Sequence, residues 1–159
     1  MDLKTAQYLS KSFLDGYYRC RGVGLDGYLM PGREDGPEAT EAPIPAIVCL
    51  AFSVELGFKS ILIAERKAPP RDHDLHRLFY LLSGQSQANI RESLSRYAKE
   101  FDSLLESMRT AFEDWRYIYE PYDPTKKRSK PALSFSDDFL VSLSKAAASA
   151  VASAQLEKE

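Results

Sequence analysis

Hydrophobic side chains recur at intervals of three and four residues along most of this chain, and nowhere with the alternation a strand requires. Ala6, Leu9, Phe13, Tyr17 and Cys20 fall on one face of an opening helix. From Arg21 to Pro43 the period is lost. Gly22, Gly24, Gly27, Gly32 and Gly36 alternate there with Pro31, Pro37 and acidic residues, which predicts a long irregular loop, mobile or ordered only by a neighbour. Its GVGLDG segment has the glycines of a phosphate loop, but no strand precedes it and no helix follows at once.

Periodicity returns at Pro45, a residue suited to the first turn of a helix because its missing N–H costs nothing there. Ile47, Leu50, Val54, Phe58, Ile61 and Leu62 form the stripe of this second helix, with Ala51 and Gly57 allowing close approach. Arg66 and Lys67 suit its C-terminal dipole, and Pro69-Pro70 stop it. Leu75, Leu78, Phe79 and Leu82 line a short third helix that Gly84 is expected to end. From Ile90 through Leu94, Tyr97, Phe101, Leu105, Phe112 and Trp115 to Tyr119 the helical interval persists for about eight turns. Glu92 and Arg96 make an i,i+4 pair on the wet side of this fourth helix. Pro121 and Pro124 close it, and Ser136-Asp137-Asp138 opens a last helix whose Ala/Ser-rich end is expected to fray. The predicted architecture is all-α, a four- to five-helix up-and-down bundle in one domain, 1–159.

Composition narrows the function classes. The 159 residues are 44% hydrophobic and 28% charged with a net charge of −2, so no global positive field attracts nucleic acid. The basic cluster Lys126, Lys127, Arg128 and Lys130 has no interleaved aromatic and reads as a solvated loop. Two cysteines, Cys20 and Cys49, are too few for a disulfide framework or a four-cysteine zinc site, and read as thiols in a reducing cytoplasm. No signal peptide is evident at the N-terminus, and no run approaches the ~18 apolar residues of a membrane span. The expected setting is cytoplasmic, without a membrane partner and without a cofactor.

Both histidines, His73 and His76, lie at the junction of the second and third helices, so any imidazole chemistry must happen there. The simpler role of His73 and Asp74 is structural: Asp72 or Asp74 caps the third helix, and His73 orients the turn by bonding a neighbouring carbonyl. The alternative is a ligand site, in which helix N–H groups with Arg71, His76 and Arg77 hold an anion. His73, His76 and the two aspartates crowd into too few positions for a metal site. Arg116, between Trp115 and Tyr117, is either a cation at a helix C-terminus paired with Glu113 or Glu120, or an arginine facing His73 across the bundle. Arg71, His73, Asp74 and Arg116 are therefore the candidate ligand-binding residues.

The stretch Glu55-Leu56-Gly57-Phe58-Lys59-Ser60-Ile61-Leu62-Ile63, the Pro69-Pro70 loop, His73-Asp74-Leu75 and the helix end Trp115-Arg116-Tyr117-Ile118-Tyr119-Glu120 resemble the HEPN domain family over about Ala46–Tyr122. The resemblance implies a helical bundle that commonly forms homodimers. It implies either a metal-independent ribonuclease built on an Arg-x4–6-His motif, or a non-catalytic module that binds a nucleotide, RNA or a protein partner, often a nucleotidyltransferase-type protein of a toxin–antitoxin pair. Arg66 to His73 and Arg71 to His76 match the motif's spacing, so these four are the candidate catalytic residues of the nuclease alternative. The family's motif normally sits near the end of the long helix, and here no histidine follows His76. The non-catalytic module is accordingly the expected function. In the nuclease alternative, arginine would stabilise phosphorane-like charge while histidine moved a 2′-hydroxyl proton.

Overall fold

The computed structural model describes residues 1–21, 43–112 and 136–156. Its elements are α1 (Leu3–Cys20), α2 (Pro43–Ala64), α3 (Leu75–Leu81), α4 (Gly84–Ser93), a 3₁₀ turn (Ser95–Tyr97), α5 (Phe101–Ser107) and α6 (Asp137–Leu156). Among the described residues every regular element is helical, as the periodicity predicts. The expected loop over 21–43 falls almost wholly outside the described residues. So do Arg116 with its flanking aromatics, the basic cluster at 126–130, and the chain end beyond Leu156.

Helix α2 is the axis of the bundle, with α1 and α6 packed along it. Its stripe is wider than the periodicity suggests, because it is buried nearly all round: Leu50, Ala51, Val54, Phe58, Ile61 and Leu62 are closed to solvent, and so are Ser53, Glu55 and Ser60. A helix apolar on every face needs neighbours on every face. Its Pro45–Ala64 stretch is in fact long and apolar enough to cross a membrane, contrary to the sequence expectation, but 78% of that window is buried by the other helices. Core-helix burial accounts for the composition without a bilayer.

Hydroxyls join the three long helices inside the core. Ser53 Oγ donates to the Ser10 carbonyl at 2.8 Å and Ser10 Oγ donates back to the Ser53 carbonyl at 2.9 Å. Ser53 has then spent its one proton, so Ser144 of α6 is the donor in its 2.7 Å bond to Ser53 Oγ. This is why the buried face of α1 runs Ala6, Ser10, Tyr17, with Leu9 turned partly to solvent. Gly57 permits the approach of α6: a Cβ there would sit 2.9 Å from the Cβ of Ala147.

Two expected boundaries move. Helix α2 ends at Ala64, ahead of the prolines, in a Schellman turn: Arg66 N–H bonds Ile63 O at 2.9 Å and Lys67 N–H bonds Leu62 O at 2.8 Å. Arg66 takes the left-handed position, φ 63°, that usually goes to glycine. Gly84 does not end α3. Leu82 turns to extended backbone, and Ser83 caps α4, accepting from Ser86 N–H at 3.2 Å, so Gly84 is the first residue of that helix.

The predicted fourth helix is not continuous. After Ser93 the backbone tightens to i→i−3 bonds, Tyr97 to Leu94, Ala98 to Ser95 and Glu100 to Tyr97, before α5 begins. Serine side chains compete for carbonyls on either side, Ser93 for Asn89 O and Ser103 for Glu100 O. The bend lets Phe101 join Phe79 and Phe139, with ring centroids 5.1 and 5.7 Å away. It also removes the expected Glu92–Arg96 pair: Arg96 instead reaches Ser142 Oγ at 2.7 Å and stacks on Tyr97.

Candidate functional site

The junction of α2, α3 and the chain after α5 holds the candidate chemistry, and its centre is a residue the sequence reading left out of the site. Glu55 projects from the middle of α2 with its side chain 1% exposed. Its Oε1 takes Lys59 Nζ at 2.7 Å, one turn on, and its Oε2 takes His73 Nδ1 at 2.8 Å. A carboxylate only accepts, so Nδ1 carries the hydrogen of this bond. Lys59 Nζ donates also to the Asp72 carbonyl at 3.0 Å, which ties the turn before α3 to α2. A buried carboxylate with two donors is satisfied, whereas removal of its cation, Lys59, leaves a buried charge uncompensated at a cost of about 3–5 kcal/mol.

His73 thus orients the turn, as expected, but through the Glu55 carboxylate in place of a carbonyl. Its ring also packs on Phe112, centroids 4.7 Å apart, and Phe112 stacks on Phe52 at 4.9 Å. Asp74 is the N-cap of α3: its Oδ1 accepts from Arg77 N–H at 2.9 Å. Its Oδ2 accepts from Arg109 Nη2 and Nε at 2.5 and 3.1 Å, and Arg109 O accepts from Leu75 N–H at 2.9 Å. Burial alone would raise the Asp74 carboxyl. The Arg77 N–H and the Arg109 guanidinium outweigh it and hold that carboxyl below the ordinary aspartate range.

The remaining candidates scatter. His76 lies on Tyr80, centroids 4.7 Å apart, with Nε2 3.5 Å from Glu106 Oε2. Arg71 is exposed, and Arg66 is held in the Schellman turn; neither is ion-paired or hydrogen-bonded through its side chain among the described residues. The structure brings His73 and Asp74 into one junction, does not join Arg71 or Arg66 to it, and leaves Arg116 outside the described residues. Two arginines do reach the junction: Arg77, whose Nη1 donates to Asp72 Oδ2 at 2.7 Å, and Arg109, which the sequence reading did not single out. Among the described residues no group of three His, Cys, Asp or Glu side chains could hold a metal ion.

One signal could have found the centre: Glu55 and Lys59 are the only charged residues between Ala46 and Ala64, and they are spaced i,i+4. Charges inside an otherwise apolar helix need partners.

A groove of about 620 Å³ opens elsewhere, between α1 and α6 over α2. Lys11 and Lys145 stand at its walls, and among the described residues neither is ion-paired and no carboxylate lines the groove. Ser10 and Ser60 line its floor, with their hydroxyl protons given to carbonyls at Ser53 and Leu56. Leu14, Gly57 and Val151 supply apolar surface.

Compared with protein-family models, with curated proteins and with solved structures, the chain finds no match in any of the three.

Proposed function

We propose that this chain is a HEPN-like, non-catalytic binding module. The observation that carries the reading is the commitment of His73 to the buried Glu55 carboxylate, with His76 lying 3.5 Å from Glu106. Both arginines at the junction among the described residues are held by carboxylates, Arg109 between Asp74 and Glu106 and Arg77 on Asp72. An RNA phosphate entering here would meet carboxylates already occupying the cations. The groove flanked by Lys11 and Lys145 has the opposite character, and it is the place for an anionic ligand of nucleotide type: phosphate to the ammonium groups, base N–H donors to the serine oxygens.

Calorimetry with a nucleoside monophosphate tests this. The reading expects binding that weakens about tenfold, roughly 1.4 kcal/mol, in the doubly substituted Lys11→Gln, Lys145→Gln protein. Equal affinity in both proteins, or none in the natural one, contradicts a nucleotide in this groove.

The module works as a homodimer or beside a nucleotidyltransferase-type protein partner of a toxin–antitoxin pair. Phe101 and Phe112 are buried within one chain, so the support for dimerisation now rests on Trp115, Tyr117 and Tyr119. Light scattering that returns the mass of a monomer at micromolar concentration would remove it.

A specific observation keeps the second reading, a metal-independent ribonuclease. His73 is 35% exposed with Nδ1 on a buried carboxylate, an arrangement that orients Nε2 as a general base. Arg71 or Arg66 would then supply the cation, and metal-free RNA cleavage decides between the two.

A further inference from the structure

The chain's two cysteines, distant in sequence, meet across the contact of α1 with α2. Cys20 is the last residue of α1, Cys49 lies in the second turn of α2, and both are half-buried free thiols. Gly16, one turn before Cys20, brings the α1 backbone against Cys49: a Cβ at Gly16 would stand 3.4 Å from Cys49 Sγ and 3.8 Å from Cys49 Cβ. Residues four apart share a helix face, so the Cys20 side chain comes next along the same contact. Burial, with the neighbouring Cys20 thiol adding to it, pushes the Cys49 thiol up.

We propose that Cys20 and Cys49 form an oxidisable dithiol, a reversible disulfide site that staples the end of α1 to α2. The oxidant is a hydroperoxide. The Cys20 thiolate attacks the peroxide oxygen and breaks the O–O bond, giving a sulfenic acid and, for hydrogen peroxide, water. The Cys49 sulfur then displaces the hydroxyl, the S–S bond forms, and a second water leaves. Two thiols lose two electrons and two protons in total, and the peroxide is reduced to two waters. Cys20 is assigned as the attacker because burial raises the Cys49 thiol and disfavours its thiolate. Thiol exchange with a small dithiol restores both cysteines.

The test uses the whole folded protein, treated with hydrogen peroxide and followed by intact mass and by free-thiol count. The expected result is loss of both thiols together, with a mass decrease of two hydrogens, no covalent dimer, full reversal by dithiothreitol, and a higher melting temperature in the oxidised form. Cys49→Ser should stop at the sulfenic acid on Cys20, trapped by dimedone, and Cys20→Ser should react more slowly than the natural protein. Circular dichroism identifies any variant that does not fold. Oxidation of the natural protein to sulfinic or sulfonic acids, or to intermolecular dimers, without the internal disulfide overturns the proposal.

Discussion

Arg91 Nη2 and Asp102 Oδ1 lie 2.7 Å apart although eleven residues separate them. In a straight helix those positions would stand about 16 Å apart along the axis, beyond the reach of both side chains. The pair therefore marks the bend that replaces the expected long helix. Arg91 also covers two core rings, 4.4 Å from the Phe101 centroid and 5.2 Å from that of Phe79.

Arg91 should matter to stability through this packing more than through its charge. Arg91→Ala is expected to cost about 1–2 kcal/mol in urea denaturation, from cation–π contact and aliphatic cover. Asp102→Asn is expected to cost a few tenths, because the carboxylate is largely exposed and solvent screens the pair. Equal losses would mean that the ion pair itself holds the bend.

Arg66 occupies left-handed backbone that costs an L-residue roughly 1–2 kcal/mol. Arg66→Gly should raise stability by about 1 kcal/mol, whereas Arg66→Ala, which keeps a Cβ, should leave it nearly unchanged. A stabilisation shared by both substitutions would assign the strain to the guanidinium instead.

Glu65 caps α4 from outside: its Oε1 and Oε2 accept from Ser83 N–H at 3.1 and 3.0 Å, and Oε1 from Ser86 Oγ at 2.6 Å. Burial would raise this carboxyl, but hydrogen bonds from Lys67, Ser86 and Ser83 together pull it below the ordinary glutamate range. A folded pKa below the unfolded one stabilises above the unfolded value, about 4.3, and that stability is lost as pH falls through the folded value. Glu65→Gln should lower stability at neutral pH by about 1–3 kcal/mol and reduce the slope of the acid limb. An acid limb unchanged by the substitution would place the titrating groups elsewhere.

How far the sequence discloses this molecule depends on which interactions are local. Leu75, Leu78, Phe79 and Leu82 are all buried, as their spacing predicts, and Asp74 caps its helix because capping is a matter of three residues. The break between Ser93 and Phe101 is not legible, since apolar spacing survives a 3₁₀ turn that slightly rewinds the helix. The stripe of α2 is legible but its burial on the remaining faces is not, and with that goes the meaning of Glu55 and Lys59. Contacts such as Asp74 with Arg109 and Ser10 with Ser53 join residues distant in sequence, where spacing carries no information.

The central proposal is that Glu55, Lys59 and His73 serve as a structural junction and that the chain does not cut RNA. Cleavage of single-stranded RNA by the purified protein in chelator tests it most directly, alongside His73→Ala measured for stability. The account predicts no cleavage above background, and a loss in the substituted protein of about 1.5–3 kcal/mol, that of one hydrogen bond to the Glu55 carboxylate, which Lys59 still pairs. Metal-independent cleavage that Arg71→Ala or His76→Ala abolishes, with circular dichroism showing the fold intact, would contradict it.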